Sequence, residues 1–328
     1  MTIRFSRSQE RRKRRSCDFF CRKNPSKQSL RPSVNSAFSA FRFHLSIFNF
    51  QFSIFNFIHP GGVFLARFCS LFSSSSGNAT YVGTATDGIL IDAGVSAKRL
   101  KSALLQREID PASIRAVFVT HEHSDHISGL RVFASSLHIP VYATRGTLVG
   151  LEEAGALSEK YPVFELPAGS DAAVGDMNVH AFATPHDSLE SCGFTVTFGD
   201  ERKLAVCTDI GHMTNEIMRN LLGCDLVMLE SNHDVGMLEN GPYPYFLKRR
   251  ILSDRGHLSN AACADVAAQL VEHGTTRLFL GHLSAENNLP ELAFQTSYCA
   301  LCECGAVADR DYILKVNPRE NNDDVVRF

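Results

Sequence analysis

The sequence predicts an α+β fold in which two mixed β-sheets pack face to face and carry their helices on the outside. Three observations predict it. Strand-rich and helical stretches follow one another as strands, helices, strands, helices, without the regular alternation of a doubly wound sheet. The 328 residues are 44% hydrophobic and 21% charged, in short runs, which excludes a disordered chain, a collagen-like fibre and a polytopic membrane protein. Histidines and aspartates cluster just past the ends of apolar runs, where α/β proteins hold their chemistry.

The first 65 residues stand apart. They carry 12 Lys and Arg against Glu10 and Asp18, a charge of +10, so a whole-chain charge of −2 leaves −12 for residues 66–328. They hold the basic cluster Arg11, Arg12, Lys13, Arg14 and Arg15, then SIFNFQF at 46–52 and a near-copy, SIFNF, at 53–57. Such low-complexity sequence predicts no packed core. Polar residues interrupt every apolar run, which excludes a membrane-spanning helix, and no small-residue cleavage site follows cleanly. Residues 1–65 are expected to be a disordered leader or a mis-called start, with the folded domain over 66–328 beginning near Val63 to Arg67.

Within that domain, strands are expected over 67–72, 80–84 and 88–92, then a helix over 96–108 with Leu100, Leu104 and Leu105 at helical spacing, and a strand over 116–120. Further strands are predicted at 138–143, 178–184, 193–198, 203–208, 226–229 and 277–280. Helices are predicted at 145–155, 214–222, 243–252, 259–273 and 290–303. Eight cysteines are scattered through the domain, several within apolar runs, which suits a reducing, cytoplasmic setting better than a disulfide framework. Cys299, Cys302 and Cys304 have chelate-like spacing but no second cluster to complete four ligands, which favours helix-face cysteines.

The strand over 116–120 runs into His121-Glu122-His123-Ser124-Asp125-His126. In an extended backbone His121 and His123 point the same way and can grip one ion, while Asp125 and His126 face a neighbouring position. Three imidazoles in six residues weigh heavily against isolated structural histidines. Further candidates again follow predicted strands: His186 after 178–184, Asp209 after 203–208 and His282 after 277–280.

This pattern resembles the metallo-β-lactamase fold hydrolases, an αββα sandwich with a dinuclear metal site between its sheets. The resemblance spans about residue 67 to the C-terminus. It implies that His121, His123, His186 and Asp209 hold one metal and that Asp125, His126, Asp209 and His282 hold the other. It also implies that Asp92, in Gly88-Ile89-Leu90-Ile91-Asp92-Ala93-Gly94, supports the ligand loop without being a ligand. Nitrogen-rich ligation favours two Zn²⁺ ions and leaves Mn²⁺ open.

Within that superfamily the chain is similar to the YycJ (WalJ) group, relatives of ribonuclease Z and the β-CASP nucleases. The likeness lies in the Ser-rich loop through Ser76 and Asn78, in Glu230-Ser231-Asn232-His233-Asp234, in the stretch from Gly241 through Lys248, Arg249 and Arg250 to His257, and in Gly281 to Asn288. Ser74 and Ile210 depart from that group's pattern, where glycine and threonine are expected.

Two metals about 3.5–4 Å apart suit a hydroxide for in-line attack at phosphorus. The resemblance implies that Asp125 and His257 are catalytic, with His257 as general acid. It makes Ser76, Asn78, Asn232, His233, Lys248, Arg249 and Arg250 candidate substrate contacts. The activity implied is a phosphodiesterase acting on nucleic acid, a DNA exonuclease before an RNA-processing nuclease, with no membrane partner. A small-molecule hydrolase of the cyclic-phosphate phosphodiesterase or glyoxalase-type thioesterase kind is the alternative, and the acidic domain weighs toward it. A regulatory binding protein without turnover would have no chemical need for seven ligands and a proton donor.

Overall fold

The computed structural model describes residues 66–321 and 325–328; the leader expected over 1–65 lies outside them. The first half contributes β1 (Arg67–Ser74), β2 (Gly77–Gly83), β3 (Gly88–Ile91), β4 (Ile114–Phe118), β5 (Val141–Ala143) and β6 (Val163–Glu165). The second contributes β7 (Asp171–Val174), β8 (Met177–Ala183), β9 (Cys192–Phe198), β10 (Lys203–Cys207), β11 (Leu226–Glu230), β12 (Arg277–Gly281) and β13 (Ile313–Val316). A final strand, β14 (Val326–Arg327), returns to pair with β1. The two seven-stranded sheets run β14-β1-β2-β3-β4-β5-β6 and β13-β12-β11-β10-β9-β8-β7.

Each half opens with antiparallel strands and continues with four parallel ones, β3 to β6 and β10 to β13. Parallel neighbours need crossovers, and helices supply them. In the first half these are α1 (Ala97–Leu105), α2 (Ser124–Ile127), α3 (Leu130–Leu137) and α4 (Arg145–Glu153). In the second they are α5 (Asn215–Leu221), α6 (Val235–Asn240), α7 (Tyr245–Ile251), α8 (Asn260–Glu272) and α9 (Pro290–Glu303). The sequence conceals part of this alternation because β5, β6 and β13 span only three or four residues. His138, expected to begin a strand, instead ends α3 in a left-handed conformation, and the strand starts at Val141.

Three apolar clusters define four layers. Phe68, Ile89, Ile91 and Phe118 of the first sheet meet Val179, Phe194, Val206 and Met228 of the second. Leu90 and Val117, on the opposite pleat, pack against Leu100, Leu104 and Phe133 of α1 and α3. Val227 and Leu229 do the same with Cys263, Val266 and Leu270 of α8. Strands covered on both faces must be apolar on both, which is why β3, β4 and β11 read as continuous hydrophobic runs. No helix among the described residues is long and apolar enough to cross a membrane.

Candidate metal centre

The parallel strands of both halves end at one cleft, and the chain turns sharply there. Asp92, Asp209 and His282, each just past a strand, have φ of 64°, 59° and 55°. Left-handed backbone is costly for residues other than glycine and persists where surrounding contacts enforce it. The turn after β3 also braces the loop that follows β4: the Ala93 amide donates to the His126 carbonyl at 2.8 Å and Gly94 to that of Asn78 at 2.7 Å. A Cβ at Gly94 would overlap the Asp125 carbonyl oxygen, so only glycine permits this approach.

The candidate ligands converge. His121, His123 and His186 form one group whose ligand atoms lie within 4.8 Å of one another, and Asp125, His126 and His282 form another. Asp209 lies between them. Its Oδ2 is 3.5 Å from His126 Nε2, and its Oδ1 is 3.5 Å from His282 Nδ1 and 3.8 Å from His186 Nε2.

Four of the imidazoles are tied from behind through Nδ1. His126 Nδ1 lies 2.8 Å from Asp92 Oδ2, and His186 Nδ1 donates to the Gly256 carbonyl at 3.1 Å. The Thr120 hydroxyl, which donates to Asp92, sits 3.0 Å from His121 Nδ1. His282 Nδ1 donates to Glu230 Oε1 at 2.8 Å. Holding Nδ1 fixes the tautomer and makes Nε2 the nitrogen that can ligate. Asp92 thus contacts both Thr120 and His126 of the ligand loop.

Asp209 Oδ2, His186 Nε2 and His282 Nε2 are buried with no hydrogen-bond partner among the described residues. Orphaned polar atoms in one cleft are costly unless a cation takes them, so the residues fit divalent metal. The electrostatics agree. Burial holds the His121 ring well below the usual histidine value, and its histidine neighbours add to this, so it is neutral as a ligand must be. Burial also opposes charge on His126, but Asp92 and Asp209 outweigh it and raise its pKa to about 10. Burial would raise Asp209, yet His282 and His126 hold it below the ordinary carboxylate value. Protons and divalent ions compete for this negative field.

Glu230, the last residue of β11, is fully buried. Its Oε1 accepts from His257 Nδ1 as well as His282 Nδ1, both at 2.8 Å, while Oε2 accepts the amides of Ile210 at 2.8 Å and Leu258 at 3.1 Å. Burial opposes charge on His257, but Glu230 and then Asp209 prevail and raise its pKa. Sequence reasoning left Glu230 without a role; its signals are its place in the stretch Glu230 to Asp234 and a carboxylate closing the apolar run Leu226–Glu230.

The cleft measures about 220 Å³ and is lined by His123, Asp125, Asp209, His257 and His282, with Asn232, Tyr243 and Arg250 nearby. The other expected substrate contacts are spread more widely. Asn78 is buried and braces a candidate ligand, its Nδ2 donating to Asp125 Oδ2 at 3.1 Å. Ser76 is exposed in the turn after β1, 2.9 Å from the Ser74 hydroxyl. His233 is buried and lines a separate cavity that also touches His257. Arg250 pairs with Asp187 beside the cleft. Lys248 donates to the carbonyls of Glu239 and Gly241, both at 2.8 Å, and with Arg249 lines a different groove. Among the described residues, Cys299, Cys302 and Cys304 join no metal-ligand group.

A β-lactamase superfamily domain matches residues 88–283. The exodeoxyribonuclease YycJ of Bacillus anthracis is 39% identical over 226 residues, covering 69% of this chain and 85% of that protein. The exodeoxyribonuclease WalJ of Streptococcus pneumoniae serotype 2 is 36% identical over 234 residues, or 70% of this chain and 86% of that one. Among solved structures, the metallo-β-lactamase fold protein YhfI of Bacillus subtilis shares the fold with a TM-score of 0.60 at 12% identity, over 81% of this chain and 100% of that chain.

Proposed function

The chain belongs to the β-lactamase superfamily of metal-dependent hydrolases, and from that premise we propose that it is a dinuclear DNA exonuclease. The observation that carries the reading is one cleft holding two groups of ligand atoms, Asp209 between them, and His257 buttressed by Glu230. His121, His123 and His186 would hold one ion and Asp125, His126 and His282 the other, with Asp209 shared; Zn²⁺ suits the nitrogen-rich set and Mn²⁺ the carboxylates. When bound, the ions supply Lewis acidity to the phosphoryl group and lower the pKa of the attacking water.

The protein's own part is to protonate the leaving oxygen. His257, in the cleft wall, donates Nδ1–H to Glu230, which fixes the ring and stabilises the imidazolium before it gives up its proton. The raised pKa of His257 favours the acid form that this role requires. DNA as substrate, and a cytoplasmic setting, rest on the exodeoxyribonuclease relatives. The −12 charge of residues 66–328 favours a second reading, a phosphodiesterase for small esters.

The test compares leaving groups. His257→Ala should lower kcat about 10²- to 10⁴-fold on an alkyl-leaving nucleotide while keeping both metals, and much less on bis(p-nitrophenyl) phosphate, whose leaving group needs little protonation. Equal losses on the two would refute the assignment. Assaying the purified protein with Zn²⁺ or Mn²⁺ on single-stranded DNA, RNA and a thioester separates the DNA reading from its alternatives.

A further inference from the structure

Helix α7 differs from the other α-helices among the described residues in that none of its seven residues is buried. It divides lengthwise into two faces. Leu247, Arg250 and Ile251, at helical spacing, line the metal cleft together with Tyr243. Tyr245, Lys248, Arg249 and Leu252 form the outer face and line a second cavity of about 560 Å³. Phe246 lies between the faces, about 100° of helical rotation from Tyr245. Tyr245 and Phe246 are 74% and 73% exposed, the most exposed large hydrophobic side chains among the described residues.

Aromatic rings this exposed have no packing role in the monomer. The last turn carries Lys248, Arg249 and Arg250, the helix contains no acid, and among the described residues Glu239 is the one acid lining the outer groove. Lys248 and Arg250 are engaged with Glu239, Gly241 and Asp187, whereas the Arg249 side chain makes no hydrogen bond or ion pair among the described residues. One ring and a free guanidinium on the outer face, a second ring between the faces and the candidate metal cleft on the inner face match the chemistry of an unpaired, anionic strand.

We propose that α7 is a stacking platform for single-stranded DNA, a role that rests on the nuclease reading and adds the binding surface it requires. Bases of an unpaired strand stack on Tyr245 and Phe246, Arg249 meets a phosphate, and the strand crosses α7 into the cleft at Arg250. This explains how an acidic domain retains a polyanion: three cations and two exposed rings lie on one helix beside the candidate metal groups. A duplex offers no free base faces, so the platform selects frayed or single-stranded ends.

The experiment uses the full chain and two readouts. Binding of a fluorescent, non-hydrolysable phosphorothioate oligothymidine is measured for wild type, for Tyr245→Ala/Phe246→Ala and for Tyr245→Phe/Phe246→Tyr. Cleavage of labelled single-stranded DNA and of bis(p-nitrophenyl) phosphate is followed in parallel. The alanine pair should bind about 10- to 100-fold more weakly, the usual size of lost base stacking, with KM on DNA rising to match. The aromatic exchange should restore binding, and Arg249→Ala should flatten the salt dependence by about one phosphate contact. The small ester, which does not span α7, reports that each variant is folded and loaded.

Unchanged oligonucleotide binding by the alanine pair would overturn the platform. So would a dimer in light scattering that the alanine pair dissolves while DNA binding persists, since α7 would then be a contact between copies. If the wild type binds the oligonucleotide through these rings but cuts neither DNA nor RNA, the nuclease reading fails and the platform stands.

Discussion

Glu230 has no oxygen left for water, because Oε1 serves two imidazoles and Oε2 two backbone amides. A glutamine keeps the shape but must turn an N–H toward another N–H, leaving buried donors unpaired. Glu230→Gln should therefore lose about 1–3 kcal/mol of stability, measured as a lowered Tm. It should also reduce kcat on alkyl-leaving substrates, and its effect should not add to that of His257→Ala, since the two residues act as a unit. A full stability loss with kcat untouched would remove Glu230 from the chemistry. Asp209 gives a separate test. Asp209→Ala should bind fewer than two ions per chain by metal analysis, and a folded variant holding both at full occupancy would end its bridging assignment.

At the scale of elements, the turn after β3 sets where the ligand loop sits, because Gly94 lies against the Asp125 backbone. Gly94→Ala should push the loop outward and cost about 1–3 kcal/mol, as overpacking does. Metal affinity should fall with it in a titration, and undiminished affinity would show that the turn does not position the loop. This contact also marks the limit of legibility. His121, His123, Asp125 and His126 are legible because one loop holds them, and His186, Asp209 and His282 because each follows a strand closely. The groups behind them are not: Glu230 is separated by 20 residues from the Ile210 amide and by 52 from His282. Asn78 resembles a substrate contact in the chain, but packing of β2 against the ligand loop makes it a brace for Asp125. Lys248, Arg249 and Arg250 read as one basic run, and the helical turn distributes them over two faces.

For the molecule as a whole, the candidate metal groups belong to neither half. His121 and His123 from the first half meet His186 from the second, and Asp125 and His126 meet His282. A Ser73 hydroxyl in β1 accepts the His282 amide at 2.8 Å and so links the first sheet to a ligand of the second. β1 itself has strand neighbours on both sides, β2 and β14, and therefore offers no open edge to the chain ahead of it. Removal of residues 1–62 should leave the Tm and metal content unchanged, and unfolding of the shortened chain would show that those residues belong to the domain.

The partner on the outer side of β1 comes from far along the chain. Arg67 pairs with Arg327 and Phe72 with Glu320, and the Asn321 amide donates to the Leu71 carbonyl at 3.1 Å. A ribosome adding about 5–20 residues per second delivers Arg327 roughly 13–50 s after Arg67. For that interval an apolar strand has one unsatisfied edge, the kind that recruits foreign strands. The newborn chain is thus exposed to aggregation at β1, and slower translation lengthens the exposure.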